Sequence, residues 1–143
     1  MRMKRLADLV RLAWLVILVA IVACGDVSKE ELASMAAKGY YDHLIQGEYK
    51  QFLEGGDMLP EDAAYRSQLL DNYRQFMEAQ QKDHNGIREV RIVRAKTDTL
   101  QHYTNVFLTL CFGDSTNEEI VVPMVEKEGR WRMKYKQNKK IKT

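Results

Sequence analysis

The chain has 143 residues, two cysteines and a formal net charge of +2. This length fits one domain of ordinary size with its own hydrophobic core, and the nearly balanced charge argues against nucleic acid as a partner. The sequence has no cysteine or histidine pair at zinc-ligand spacing, no P-loop or dinucleotide-binding fingerprint and no nucleophile elbow. We therefore expect neither a metal nor a cofactor.

The first 23 residues have the pattern of a secretory signal peptide. Four bases and one acid precede an apolar run at residues 12–23. At about 1.5 Å per residue this run is too short for the ~30 Å hydrocarbon core of a bilayer, so a membrane-spanning helix is not predicted. Removing residues 1–23 takes away the four bases and the acid, and it leaves 120 residues with a net charge of −1.

The apolar run ends in Ile21-Val22-Ala23-Cys24-Gly25, which resembles the lipobox of bacterial lipoproteins. The resemblance implies a diacylglycerol thioether on Cys24, cleavage before it, and acylation of the new amino terminus with a fatty acid such as palmitate. Two or more acyl chains hold a protein stably at a bilayer. We expect residues 24–28 to form a lipidated tether, with the domain in the periplasm or at the cell surface. In bacterial lipoproteins an acid directly after the lipidated cysteine favours retention in the inner membrane. Here the acid, Asp26, comes one place later, so the outer membrane is favoured. An ordinary signal peptide with an accidental cysteine, or an uncleaved anchor, is the alternative.

After the tether the sequence predicts three helices. Ser28 and Glu31 fit a capping box at the start of the first helix, and Gly47 is a typical stop after its end. Each of the two long helices has one apolar face. The helices are expected at residues 29–46, at residues 48–54 before a break at Gly55-Gly56, and from just after Pro60 to about Lys82, where Asn85-Gly86 ends the third helix.

From Ile87 the apolar pattern changes to a period of two, which predicts strands joined by hairpins. Four strands are expected, at residues 88–96, 102–112, 118–126 and 130–137. Helices followed by hairpin-linked strands indicate an α+β domain over residues 29–137, with N-terminal helices packed on a curved four-stranded antiparallel meander. Residues 138–143 are expected to form a basic, disordered tail.

Three stretches carry a family resemblance: YYDHLIQGEY at residues 40–49, NGI at residues 85–87 and EGRWRM at residues 128–133. They resemble the nuclear transport factor 2-like superfamily, the cone-shaped fold of ketosteroid isomerase and SnoaL-like cyclases. More narrowly, the chain is similar to small bacterial lipoproteins with such a domain and unknown function. The resemblance implies a sheet that curls around a pocket beneath the long helix, which members use as an active site, a ligand site or a core.

The resemblance also implies a candidate site inside the cone. His43 would be the general base of an isomerase, cyclase or dehydratase, because enzymes of the superfamily use Asp or His there. Together with Tyr40 and Trp131 it is a candidate for lining a cavity. Asp42 is turned about 100° away on the helix and is not expected to work with His43. A core histidine among tyrosines is the alternative, and we assign no catalytic residue.

The C-terminal end is the second candidate site. Residues 127–143 contain eight bases and one acid. Strict alternation in the fourth predicted strand places Arg130, Arg132, Lys134 and Lys136 on one face. Such a face is a candidate contact for anionic lipid headgroups or an acidic partner. A solvated strand face followed by a frayed tail is the alternative.

Three functions from different classes follow. The preferred one is a non-catalytic binding or accessory module, anchored to the envelope through acylated Cys24, with an unidentified envelope protein or small ligand as its partner. The second is a small-molecule pocket enzyme with His43 as base. The third is a homodimer built through the outer sheet face, which is suggested by Phe107, Val121 and Val125. Cys111 lies alone in an apolar run and is expected to be a buried core residue.

Overall fold

A computed structural model describes residues 5–8 and 25–135. The predicted cleavage site with Cys24, Lys136 and the predicted tail at residues 138–143 lie outside the described residues. Within residues 25–135, three helices precede four strands. They are α1 (Lys29–Ile45), α2 (Tyr49–Glu54), α3 (Ala63–His84), β1 (Ile87–Asp98), β2 (Tyr103–Phe112), β3 (Asn117–Lys127) and β4 (Arg130–Met133). None of the helices in the described ranges combines the length and the hydrophobicity that a membrane crossing requires.

The ends of the long helices are set by the residues that the sequence indicates. At the start of α1 the Ser28 hydroxyl accepts a hydrogen bond from the Glu31 amide at 3.2 Å, and after its end Gly47 takes the left-handed conformation with φ 78°. The Asp62 carboxylate caps α3 by accepting from the Ala64 amide at 2.8 Å. Asn85 caps the end of α3 with φ 57°, and the last helical residue, His84, lies two residues beyond the predicted end.

The four strands form an antiparallel meander in the order β1-β2-β3-β4, as predicted. At its centre Leu108 of β2 lies opposite Ile92 of β1 and Ile120 of β3. The prediction for β4 was wrong at its C-terminal end, since the strand stops at Met133 rather than at residue 137. Met133 lies opposite Met124 of β3, and the residue before Met124 is Pro123, which has no N–H to donate. The last hydrogen bond between the two segments therefore runs one way, from the Lys134 amide to the Pro123 carbonyl.

The core lies between α1 and the inner face of the sheet. Ala33 and Ala37 are the fully buried residues of α1, and their small side chains let the helix approach the sheet closely. The largest buried side chains opposite them belong to Leu108, Met124 and Val90. Cys111 is buried and free, as predicted.

Two expectations about apolar faces need correction. Alternation places Ile92 on the same side of β1 as Val90 and predicts that both are covered. The Ile92 side chain is nevertheless 41 % exposed, because β1 is an edge strand that α1 does not fully cover. The apolar face of α3 contributes no fully buried residue. Instead α3 packs through partly buried side chains: Met77 lies against the core, and the rings of Phe52 and Tyr73 meet edge-on with centroids 5.0 Å apart.

The turn between β2 and β3 is tied to the end of α3 through Asp114. Its carboxylate accepts hydrogen bonds from the hydroxyl and the amide of Thr116 and lies 2.9 Å from His84 Nδ1. The His84 ring in turn stacks on Phe112 with centroids 4.5 Å apart. The bonds from Thr116, and then the one with His84, lower the pKa of Asp114 from 3.8 to about 2.

We expect this carboxylate to contribute an acid-sensitive part of the stability. A pKa that is lowered by folding stabilises the native state above the unfolded pKa, and this contribution is lost as pH falls from about 4 to 2. Urea midpoints of wild type and Asp114→Asn should therefore differ at pH 6 and converge towards pH 2. The control Glu118→Gln changes an exposed carboxylate of β3 that forms no ion pair with a described residue, and it should follow wild type throughout. A constant gap for Asp114→Asn would contradict the assignment.

Candidate functional site

The outer edge of β4 is covered by the segment that follows α2. The Asp57 amide donates to the Met133 carbonyl, and the Met133 amide donates to the Gly55 carbonyl, both at 2.8 Å. The Asp57 carboxylate then accepts from the Tyr135 amide at 2.7 Å. Residues 55–57 therefore act as a short parallel addition to the sheet, and the loop after them is held beside the β3–β4 turn.

This arrangement creates a cleft that we call the basic cleft, with a volume of about 530 Å³. It is lined by Gly56, Asp57, Leu59, Lys127, Glu128, Arg130 and Arg132. In the described part of the chain, Lys127, Arg130 and Arg132 form no ion pair with a carboxylate. The lining has three cations and two carboxylates, those of Asp57 and Glu128, so the net charge of the cleft is positive and favours anionic groups.

Two of these cations are positioned by hydrogen bonds to backbone carbonyls. The Arg132 guanidinium donates to the carbonyl of Glu54, the last residue of α2. The Lys127 ammonium donates to the Asp57 carbonyl at 3.2 Å. Arg130 is exposed at the start of β4. A carbonyl neutralises no charge, so the cleft keeps its positive field.

A second cleft, which we call the apolar cleft, shares Leu59 with the first. Its volume is about 460 Å³, and it is lined by Met58, Leu59, Pro60, Glu61, Asp62, Tyr65 and Tyr135. The hydroxyls of Tyr65 and Tyr135 lie 2.7 Å apart and close one side, and this hydrogen bond raises the pKa of Tyr135. Met58 and Leu59 are each about half exposed. The two clefts together offer an apolar surface beside a basic one.

Of the four basic residues predicted to share a face, the structure brings Arg130 and Arg132 into one cleft. Register with β3 keeps Lys134 on the same sheet face as Arg130 and Arg132, but Lys134 does not line the cleft, and its ammonium lies 4.6 Å from the centroid of the Tyr103 ring. Lys136 lies outside the described residues. Lys127 was not among the predicted site residues. Its place in the basic run was visible in the sequence, but its contact with the loop at residues 55–59 was not.

The three residues predicted to line a cone cavity are not brought to one cavity. The Tyr40 hydroxyl donates to the Trp131 carbonyl at 2.7 Å, and its ring lies against Gly55. His43 Nδ1 lies 3.3 Å from a Glu48 carboxylate oxygen, and its side chain is 42 % exposed. Neither Tyr40 nor His43 lines the basic or the apolar cleft. Asp42 forms a surface pair with Lys38.

Trp131 lines a third cleft, of about 380 Å³, at the start of α1. The cleft lies between α1, the β1–β2 turn and the end of β3, with Lys29, Thr97, His102 and Glu126 among its other residues. Neither Tyr40 nor His43 lines it. The space beneath α1 is filled by Val106, Leu108 and Met124, which explains why the predicted trio does not meet in a pocket.

The outer sheet face carries the residues suggested for a homodimer. Val121 is exposed, whereas Phe107 and Val125 are half-buried. The Arg94 guanidinium lies 4.0 Å from the Phe107 ring centroid and covers part of it. Among the described residues no group of three His, Cys, Asp or Glu side chains is placed to hold a metal ion.

These features define an α+β domain with helices on one face of an open four-stranded antiparallel sheet. Neither a protein-family model nor a curated protein sequence matches the chain. Among solved structures, the chain is similar to one from Campylobacter jejuni assigned as an NTF2-like transpeptidase, with a TM-score of 0.57 and 14 % sequence identity. The match covers 70 % of this chain and 94 % of the other. The chain therefore has the NTF2-like fold, and the family resemblance of the sequence is confirmed for the fold.

Proposed function

We propose that this protein is a membrane-anchored bacterial lipoprotein whose NTF2-like domain is a non-catalytic binding or accessory module of the cell envelope. The observation that carries the proposal is the sequence Ile21-Val22-Ala23-Cys24-Gly25 directly before a folded domain. The helix cap at Ser28 follows only four residues after Cys24. This order, of lipobox, short tether and compact domain, is what an acyl-anchored module requires.

The short tether would hold one end of the domain close to the bilayer. Five extended residues span at most about 17 Å, so the start of α1 would lie within that distance of Cys24. The β1–β2 and β3–β4 turns lie at the same end, because Thr97 donates to Glu30 at 2.6 Å and the Lys29 ammonium lies 4.0 Å from Glu126. The outer membrane is the favoured location, with the domain facing the periplasm or the cell surface.

Binding is proposed at the basic cleft and the apolar cleft beside it. Lys127, Arg130 and Arg132 favour an anionic ligand, and Leu59 joins their cleft to an apolar surface. An acidic segment of an envelope protein, or a small ligand that carries an anionic and an apolar part, fits this combination.

The anchor is tested by labelling with palmitate in a bacterial host that processes lipoproteins. Wild type should incorporate label and fractionate with membranes, whereas Cys24→Ala should lose the label and leave the membrane fraction. Cys111→Ala is the matched control, because it removes the other cysteine, and it should behave as wild type. Labelled Cys24→Ala, or unlabelled wild type, would end the proposal.

The binding site is tested by crosslinking in intact membranes followed by purification. Lys127→Glu with Arg130→Glu reverses the two exposed charges of the basic cleft and should abolish recovery of the partner seen with wild type. Arg66→Glu with Lys82→Glu makes the same change at two exposed positions of α3 and should leave recovery unchanged. Equal recovery from both double variants would show that the basic cleft is not the site.

A further inference from the structure

The outer edge of β1 is unpaired in the part of the chain that the structure describes. β1 pairs only with β2, and no backbone hydrogen bond from another described segment reaches residues 88–98. The opposite edge of the sheet, at β4, is covered by residues 55–57. An uncovered edge strand presents a row of N–H and C=O groups that can pair with another strand.

A groove lies beside this free edge, between β1 and α1. Its volume is about 310 Å³, and it is lined by Glu30, Glu31, Ser34, Met35, Ile92, Arg94 and Ala95. Met35 is 62 % exposed and Ile92 is 41 % exposed. The apolar surface of the core therefore continues to the sheet edge, where no described element covers it.

The other face of the same edge is basic. Register with β2 places Arg91, Arg94 and Lys96 on the outer face of the sheet, together with the acids Glu89 and Asp98. Asp98 lies at the end of β1, where its carboxylate accepts from the Leu100 and Gln101 amides. Arg91 is paired with Glu89, whereas Arg94 and Lys96 form no ion pair with a described carboxylate. Opposite charges on neighbouring strands attract each other across a sheet.

We infer that the free edge of β1 accepts an extended protein segment of alternating acidic and apolar residues, which adds to the sheet as a fifth strand. Successive side chains of a strand point to opposite faces. The apolar residues would therefore enter the groove at Met35 and Ile92, while the acidic residues would face Arg94 and Lys96. Main-chain hydrogen bonds would supply affinity, and the alternation would supply specificity. This inference goes beyond the proposed function and does not depend on Cys24.

Charge selects this occupant over two others. Pairing of two β1 edges from two copies would bring the arginines and lysines of both edges together, and such like-charge pairs are destabilising. The chain's own residues 136–143 contain four lysines and no acid, so they would be repelled in the same way. The same basic residues that protect an edge from self-pairing favour an acidic strand from another protein.

Peptide binding to the purified full-length protein in detergent tests the inference, with empty micelles as the blank. A labelled peptide of about seven residues that alternates Glu and Val should bind saturably. A peptide that alternates Lys and Val should bind at least about tenfold more weakly. The Glu–Val peptide with N-methyl groups along one edge should lose binding, because it lacks the main-chain donors of a strand.

Variants locate the site. Arg94→Glu and Met35→Asp change one exposed residue on each face of the edge, and each should weaken binding about fivefold or more. Arg66→Glu on α3 is the matched control and should bind as wild type. Amide NMR shifts of the wild-type protein should change within residues 88–98, and this measurement decides the question if a variant does not fold.

Three outcomes would overturn the inference. The first is equal binding of the Glu–Val and Lys–Val peptides. The second is shift changes elsewhere than β1, or unchanged affinity in both Arg94→Glu and Met35→Asp. The third is self-association of the free protein that a β1 variant abolishes, since this would assign the edge to a second copy.

Discussion

Replacing Leu108 by alanine is expected to lower the free energy of unfolding by about 3–4 kcal/mol. Leu108 is fully buried at the centre of β2, which has a neighbouring strand on both sides, and Ala33 and Ala37 of α1 are buried in the same core. The substitution removes the transfer free energy of the side chain and leaves a cavity. Small side chains above the site limit how far the surroundings can collapse into it.

Urea denaturation followed by the fluorescence of Trp131 measures this loss in a chain shortened by residues 1–23, in which Trp131 is the single tryptophan. Leu100→Ala is the matched control, since Leu100 lies in the β1–β2 turn and is 90 % exposed. It should change the free energy of unfolding by less than about 0.5 kcal/mol. A loss below about 1 kcal/mol for Leu108→Ala would contradict the packing of the inner sheet face.

The elements of this fold were predictable because local chemistry specifies them. Ser28 and Gly47 mark the two ends of α1, and Asn85 before Gly86 marks the end of α3, all within two residues of the observed bounds. The hairpin order of the strands follows from alternation and short turns. Each of these signals involves only a few neighbouring residues, so it can be recognised in a single sequence without knowledge of the tertiary contacts.

The candidate site was only partly predictable because it depends on contacts between distant segments. Gly55-Gly56 indicated a break after α2, but nothing local indicated that this break pairs with Met133 along the edge of β4. The basic cleft exists only because of that pairing. The hydrogen bond from Tyr40 to the Trp131 carbonyl joins residues 91 positions apart. An aromatic residue on the apolar face of a helix or strand has the same sequence pattern whether it lines a cavity or packs in the core.

The exposure of β1 was unpredictable for a different reason. Alternation shows which residues share a face, and the predicted meander places β1 at an edge, but neither shows how much of that edge α1 leaves uncovered. Ile92 and Val90 have the same pattern, yet Val90 is buried and Ile92 is not. A register shift between Ile92 and Arg94 also changes the face of later residues, and such bulges carry no reliable sequence signal.

The turn after β2 contains the second large predicted effect, Gly113→Ala. A Cβ built on Gly113 would lie 2.3 Å from the Asn85 carbonyl oxygen and 3.0 Å from its carbonyl carbon. These are backbone atoms, and they are held in place because the Gly113 amide donates to the Gly86 carbonyl and the Asp114 amide to the His84 carbonyl, each at 2.9 Å. The junction of α3 with the hairpin must therefore open, and we expect a loss of about 3 kcal/mol.

The control for this prediction is the same chemical change at Gly39. A Cβ there meets nothing within 4 Å, and Gly39 lies inside α1, where alanine is favoured over glycine by roughly 0.5–1 kcal/mol. Urea midpoints of the two variants should therefore move in opposite directions from wild type. Equal or unchanged midpoints would mean that the end of α3 does not approach the β2–β3 turn so closely. Opposite signs would show that backbone contact, and not a general intolerance of added methyl groups, is what requires glycine at residue 113.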